Sequence, residues 1–320
     1  MRVSLVVPVY NEEANLDEFL KRTLAVGDSL GSPYELILVD DGSRDRSLAI
    51  LKAWAERRPD VVRVLELSRN YGQHPAVLAG FHDVTGDVAV TLDADLQNPP
   101  EEIPKLLAKV MEGHDVVGGV RQNRQDSFLR RFASGIVNRV TVAITRMKLT
   151  DFGCMLRAYS RDVVDEINRS EEASTFVPAL GQSFARNPVE IQVAHAPRTG
   201  GESAYSLYRL VRLNFDLMTG FSTVPLELFG LLGTFVALGG IGFGVFLLVR
   251  RFVVGAEVEG VFTLFAILFT FLGIAMAGLG IVGEYVGRIY AQVRGRPRFS
   301  VRRVYGLGAT TPSAPERIRR

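Results

Sequence analysis

Asp93 and Asp95 flank a single alanine at the end of the apolar run DVAVTL, and Gln97 follows two residues further on. Two carboxylates crowded at the mouth of a strand repel each other. A hard divalent cation held through their oxygens removes that repulsion, and the same cation would neutralise a diphosphate. Pro99 and Pro100 then stiffen the chain. Two more polar clusters close apolar runs: PVYNEE, Pro8–Glu13, and VDDGSRD, Val39–Asp45. Within the second, Asp40 or Asp41 could accept hydrogen bonds from a base or ribose. No G-x-G-x-x-G follows the first apolar run and no G-x-x-x-x-G-K-[ST] occurs anywhere. A dinucleotide oxidoreductase and a P-loop kinase both lose support. A D-x-D alone is also the composition of a solvated turn. It is the three clusters together that point to a nucleotide site built on carboxylates.

The intervening elements must bring these clusters to one place. Strand-like runs at VSLVVPV, YELILVD, VVRVLEL, DVAVTLD and HDVVGGVR alternate with helix-like ones. Leu16, Phe19, Leu20 and Leu24 fall on one helical face. Ser43 is the expected N-cap of the second helix, and the fourth opens at a proline. Such a βαβ series predicts a mostly parallel sheet covered on both faces, with ligands beyond the carboxyl ends of the strands. His74 reads as a loop residue near the donor and His82 as an ordinary helix residue. Cys154, the one cysteine, excludes an internal disulfide and reads as a packing residue, since no base adjoins it. A net charge of +2 does not suggest nucleic acid. The first residues lack the pattern of a signal peptide, and TTPSAPERIRR at the end reads as disordered.

Leu228–Val249 and Val261–Val282 are 22-residue runs without a charge, each long enough to cross about 30 Å of hydrocarbon. Their glycines suit close helix approach in lipid. Nine arginines against two glutamates between Glu284 and Arg320 place that tail in the cytoplasm, and a two-span hairpin returns the N-terminal part to the same side. Arg250 and Arg251 oppose the rule but are outnumbered. The expected organisation is an α/β domain over 1–205, an interfacial helical segment over 206–225, a transmembrane hairpin over 226–284 and a basic tail over 285–320.

The stretches VVPVYNEEANL, LVDDGSRDRS, RNYGQHPAVLAGF and TLDADLQNPPEEIP resemble family 2 glycosyltransferases of the GT-A fold. The branch is the one that loads sugars onto polyprenyl phosphates, with dolichyl-phosphate mannose synthase as its eukaryotic relative. RQNRQDS, DFGCMLRAYSR, STFVPAL and GEYVGRIY are similar to its bacterial members that load 4-deoxy-4-formamido-L-arabinose onto undecaprenyl phosphate for envelope glycan or lipid A modification. The resemblance runs from about Val3 to Pro297. It implies a Rossmann-like catalytic domain, Mg²⁺ or Mn²⁺, a UDP-sugar donor, undecaprenyl phosphate as acceptor, an inner-membrane location with cytoplasmic termini, and a homo-oligomer, a tetramer in the family. Pro8, Tyr10 and Glu12 would line the nucleotide pocket with Asp41 on the uracil or ribose side. Asp93, Asp95 and Gln97 would surround the metal, and Arg121 would face the donor phosphates or sugar. Arg157, and with it Asp151, would lie where acceptor phosphate and sugar meet. Arg198 and Ser203 would belong to a loop that closes on the diphosphate. Where the family has a basic residue after that serine, this chain has Ala204.

The implied acceptor is a phosphate monoester, largely a dianion at neutral pH, which needs cations and not a general base. Relatives that glycosylate hydroxyls carry an E-D pair, and no E-D dipeptide occurs here. Direct displacement with inversion is the expected course. Two rivals are weaker. Processive polysaccharide synthases carry Q-x-x-R-W beside the membrane, and the one tryptophan, Trp54, lies in the second helix. A scaffold with a dead transferase fold would have lost the carboxylates. The sugar stays open, glucose or another hexose being the alternative donor.

Overall fold

The computed structural model describes residues 1–121, 151, 153–170, 172, 175–195, 219, 222–254 and 261–306. They fall into two compact units, one built on an eight-stranded sheet and one on two long helices.

In the first unit, β1 (Val3–Val9), α1 (Leu16–Ser29), β2 (Tyr34–Asp40), α2 (Ser47–Arg57), β3 (Val62–Leu67), α3 (Gln73–His82) and β4 (Val88–Thr91) alternate as the apolar runs predict. A 3₁₀ turn at Pro100–Glu102 leads into α4 (Ile103–Met111) and β5 (Val116–Arg121). Then come β6 (Arg157–Ser160), α5 (Arg161–Arg169), α6 (Val177–Phe184) and β7 (Pro188–Val193). The strand order is β7-β5-β6-β4-β1-β2-β3-β8, where β8 is Val301–Tyr305. β1 pairs in parallel with β2 and β4, β2 with β3, and β5 with β7. β6 enters antiparallel between β4 and β5, and β8 runs antiparallel along β3. The sheet is therefore mixed around a parallel centre.

Both faces are covered, which is why the central strands are continuously apolar. Val3, Leu5, Val7 and Val9 share one core with Leu16, Phe19, Leu20 and Leu24 of α1 and with Ile103 and Leu106 of α4. Alternate residues point the other way: α3 approaches Val6 and Val39 through Gly80, where a Cβ would collide with Val6. Ser43 does not cap α2. The helix starts at Ser47 after Arg46 with no side-chain cap, because the Ser43 hydroxyl instead accepts a hydrogen bond from the Asn11 amide at 3.1 Å.

The stretch that reads as a basic tail supplies the eighth strand. Val301 and Val304 pair with Leu67 and Leu65. Glu66, nearly buried, accepts from the Tyr305 hydroxyl at 2.6 Å and from Arg302 at 3.2 Å. The arginines that marked a cytoplasmic tail thus include one that pairs with a buried carboxylate.

In the second unit, α7 (Val224–Val254) and α8 (Val261–Val293) each contain a stretch long and apolar enough to cross a membrane, Val224–Phe246 and Ile267–Val293. Almost none of either stretch is buried by protein. Phe229 of α7 lies against Gly278 of α8, and Tyr285 donates to the Ser222 carbonyl at 2.7 Å. Most of the segment expected to lie in the membrane interface falls outside the described residues.

Candidate active site

The loops after β1, β2, β3 and β4 meet at the carboxyl edge of the parallel centre. Those after β1 and β2 are laced together by polar contacts. Asn11 takes a positive φ of 54° and accepts from the Arg44 amide at 2.8 Å, as the short side chain of asparagine allows. The Glu12 amide donates to the Ser47 hydroxyl at 2.9 Å, and the Arg46 amide donates to Glu13 at 3.0 Å. Tyr10, just past Pro8 and Val9, is left 41% exposed.

Asp40 and Asp41 end β2 in different environments. Asp41 is buried and accepts from the amides of Tyr71 at 2.7 Å and Gly72 at 2.8 Å, one per oxygen. Its carboxylate shapes the loop after β3. Gly42 makes this possible: at φ 69° it lets the chain pass within 2.7 Å, measured from where a Cβ would stand, of the Arg69 and Asn70 backbone. Asp40 is equally buried, accepts from the Ser43 amide at 3.3 Å, and keeps Oδ1 without a partner. Burial raises the pKa of both carboxyl groups.

The loop ordered by Asp41 leads into α3, whose first residue, Gln73, donates its amide to Asp93 Oδ1. Asp93 and Asp95 follow β4 directly. Burial and then the neighbouring Asp95 carboxylate push the Asp93 carboxyl up to about 7, against the pull of Gln73 and Arg121. Leu96 adopts φ 61°, a conformation that costs an L-residue about 1–2 kcal/mol. It turns the chain so that the Gln97 amide donates to Asp95 Oδ1 at 3.1 Å.

Arg121 ends β5 beside them. Its Nε and Nη2 donate to the two oxygens of Asp151 at 2.7 and 2.8 Å, a bidentate pair that is largely buried. The Gly153 amide donates to the same carboxylate at 3.0 Å. Arg157 meets the backbone of Asp151 and not its carboxylate. It is fully buried in β6 and donates to the carbonyls of Cys154 at 2.9 Å and Asp151 at 2.5 Å. Arg198 and Ser203 lie outside the described residues.

Two residues enter that the sequence reading did not single out. Gln73 touches a carboxylate of the D-x-D. His195, two residues beyond β7, lies within electrostatic reach of Arg121, Asp95 and Asp151 and bonds the Gln97 backbone; burial and then Arg121 lower its pKa. A histidine between alanines, with no ligand partner at short spacing, gave no signal of its own.

Among the described residues, no three His, Cys, Asp or Glu side chains are grouped as a closed metal cage. Two carboxylates with one raised pKa are nonetheless the donor set of an ion that takes one or two carboxylates and completes its shell from water and substrate phosphate. The residues present fit Mg²⁺ or Mn²⁺ in that open arrangement.

Residues 4–167 match the family model described as glycosyl transferase family 2. The chain is 52% identical over 314 residues, 98% of this chain and 95% of the relative, to the undecaprenyl-phosphate 4-deoxy-4-formamido-L-arabinose transferase of Shewanella sediminis (strain HAW-EB3). Among solved structures, glucosyl-3-phosphoglycerate synthase from Mycobacterium tuberculosis, in complex with Mn²⁺, UDP and phosphoglyceric acid, aligns with a TM-score of 0.48 at 19% identity. That alignment covers 68% of this chain and 76% of the other. The assignment to a family rests on the first two comparisons.

Proposed function

This chain belongs to glycosyl transferase family 2, and we propose that it moves 4-deoxy-4-formamido-L-arabinose from a UDP donor to undecaprenyl phosphate at the cytoplasmic face of a bacterial inner membrane. The observation that carries this reading is the 52% identity to a transferase of that name over nearly the whole of both chains. The site agrees with it in chemistry.

Tyr10 and Glu12 are the groups set to receive the nucleoside, with the buried Asp40 and Asp41 behind them. Asp41 holds the Tyr71–Gly72 loop. Asp93, Asp95 and Gln97 would hold the divalent cation, which when bound supplies positive charge to the leaving diphosphate. Arg121, fixed in direction by Asp151, presents a guanidinium beside Asp93 for the donor phosphates or sugar. Asp151 accepts from Arg121 and the Gly153 amide, an arrangement that suits a counter-ion better than a general base. A phosphate dianion attacks without surrendering a proton, so this arrangement leaves no step short of a base. The phosphate oxygen attacks the anomeric carbon from the face opposite UDP, the bond to UDP breaks as UDP leaves with the electron pair, and the configuration inverts. Arg198 and Ser203 complete the proposal as residues that close on the diphosphate.

Connectivity supports the proposed topology. β7 and β8 belong to one sheet, yet α7 and α8 lie between them in sequence. If both helices span the bilayer, the chain leaves and returns on the same side. The arginines after α8 then favour the cytoplasm. The test is a donor screen: purified chain in detergent, undecaprenyl phosphate, Mg²⁺ or Mn²⁺, and a panel of UDP- and GDP-sugars. The formamido-arabinose donor should give the fastest lipid product; a hexose donor outrunning it would move the proposal to that sugar.

A further inference from the structure

Arg157 is placed by the family resemblance where acceptor phosphate and sugar meet, but its side chain is buried without exposure to solvent. Among the described residues no carboxylate pairs with it. Its partners are two backbone carbonyls, that of Cys154 on Nε and that of Asp151 on Nη2. Its third nitrogen, Nη1, is buried without a partner and lies over Gly118 of β5, where a Cβ would stand 2.9 Å from it. Only a glycine leaves room for the guanidinium there. A buried cation with no counter-ion is costly, and what it accomplishes is local. It ties the two ends of the Asp151–Cys154 turn to one planar group. That turn carries the Asp151 carboxylate, which in turn fixes Arg121 through two hydrogen bonds. The far end of the turn is tied too: the Cys154 thiol is buried and donates to Asn98 Oδ1 at 3.7 Å, just beyond the D-x-D loop.

We propose that Arg157 is a positioning residue that acts through the Asp151–Cys154 turn to aim Arg121, and that it does not touch the acceptor phosphate. Lysine cannot replace it, because an ammonium lacks the planar fork that spans two carbonyls. The inference rests on the sugar-transfer reading only in its kinetic arm.

The experiment uses full-length protein in detergent and the Arg157→Lys variant. Cys154 is the one cysteine, so a thiol reagent reports on this turn alone. Loosening the turn should raise the rate of Cys154 modification by about tenfold or more. In the transfer assay, kcat should fall by about tenfold or more, with KM for undecaprenyl phosphate within about twofold of wild type. The Asp151→Asn and Arg157→Lys changes combined should lose little more than the worse of the two alone. A folded Arg157→Lys protein whose thiol stays as protected as in wild type overturns the proposal, as does a raised KM for the lipid with kcat kept. If Arg157→Lys does not fold, Gly118→Ala takes its place, because its Cβ crowds Nη1. It too should speed Cys154 modification, and wild-type protection in that variant overturns the proposal. A wild-type protein that transfers no sugar refutes the proposed function, while the thiol measurement still decides this inference.

Discussion

Tyr305 donates its hydroxyl to Glu66 at 2.6 Å across 239 residues of sequence. The bond fastens the last described strand to β3, after the chain has passed through both long helices. Glu66 also meets Arg302, and Lys52 lies 4.4 Å over the Tyr305 ring. The adjoining residues are tied as well: the Ser68 amide donates to the Ser300 carbonyl, and Arg298 donates to the Ser170 and Glu172 carbonyls.

A fragment ending before α7 therefore lacks a strand of its own sheet and leaves β3 as an open edge. Tyr305→Phe should destabilise the sheet domain by about 1–3 kcal/mol, the range for a hydrogen bond to a charged, nearly buried acceptor. Residues 1–204 should be less stable than the same fragment joined through a flexible linker to residues 296–306. Denaturant melts check both, and equal midpoints for the two fragments would show that β8 is dispensable.

His74 gives the sheet domain an acid limit. Burial first, and Arg157 second, push its imidazole down to about 4 from an ordinary 6.5. The ring edge packs on Phe176 at 4.7 Å. Between those two values the unfolded chain binds a proton that the folded chain refuses. The contribution is whole above about pH 6.5 and is lost as pH falls toward 4, an effect of about 1–3 kcal/mol. His74→Gln should flatten the fall in stability over that window. An unchanged slope in melts from pH 4 to 7 would remove His74 from the account.

Asp151 tests whether a base is needed. As counter-ion to Arg121 it should be replaceable: Asp151→Asn should retain more than about 1% of wild-type kcat, with the acid limb of the pH–rate profile unmoved. A positioned general base is worth about 10²–10⁴-fold. A loss in the upper part of that range, with the acid limb abolished, would make Asp151 the base.

The cation site is probed at Asp95, whose side chain accepts from the Gln97 amide at 3.1 Å. Asp95→Ala should lose about 3 kcal/mol or more of transition-state stabilisation, at least about 10²-fold in rate. Mn²⁺ binding followed by electron paramagnetic resonance should weaken in parallel, while the melting temperature of the metal-free protein holds. Full turnover of the wild type in excess chelator would contradict this.

Much of this arrangement can be read along the chain. The apolar runs before Tyr10, Asp41 and Asp93 are long and flanked by polar turns, so strand ends and the polar clusters beyond them emerge together. The face of Leu16, Phe19, Leu20 and Leu24 is buried as its spacing requires. What stays hidden depends on partners distant in sequence. β8 reads as a charged tail because two arginines sit mid-strand, and only Glu66 explains one of them. Asp41 reads as a ligand for the nucleoside, and only the fold shows that it also holds the amides of Tyr71 and Gly72. Arg157 lies in a strand of four residues, too short for a period, and a buried arginine contradicts the usual rule for its residue type.

The proposed function stands on direct transfer to a phosphate dianion with inversion at the anomeric carbon. The decisive measurement is the anomeric configuration of the lipid-linked sugar by NMR, starting from a donor of known configuration, with intact-protein mass spectrometry during turnover. Direct displacement gives the opposite configuration to that of the donor and an unmodified protein mass. Retained configuration, or a protein carrying one sugar residue, would contradict it.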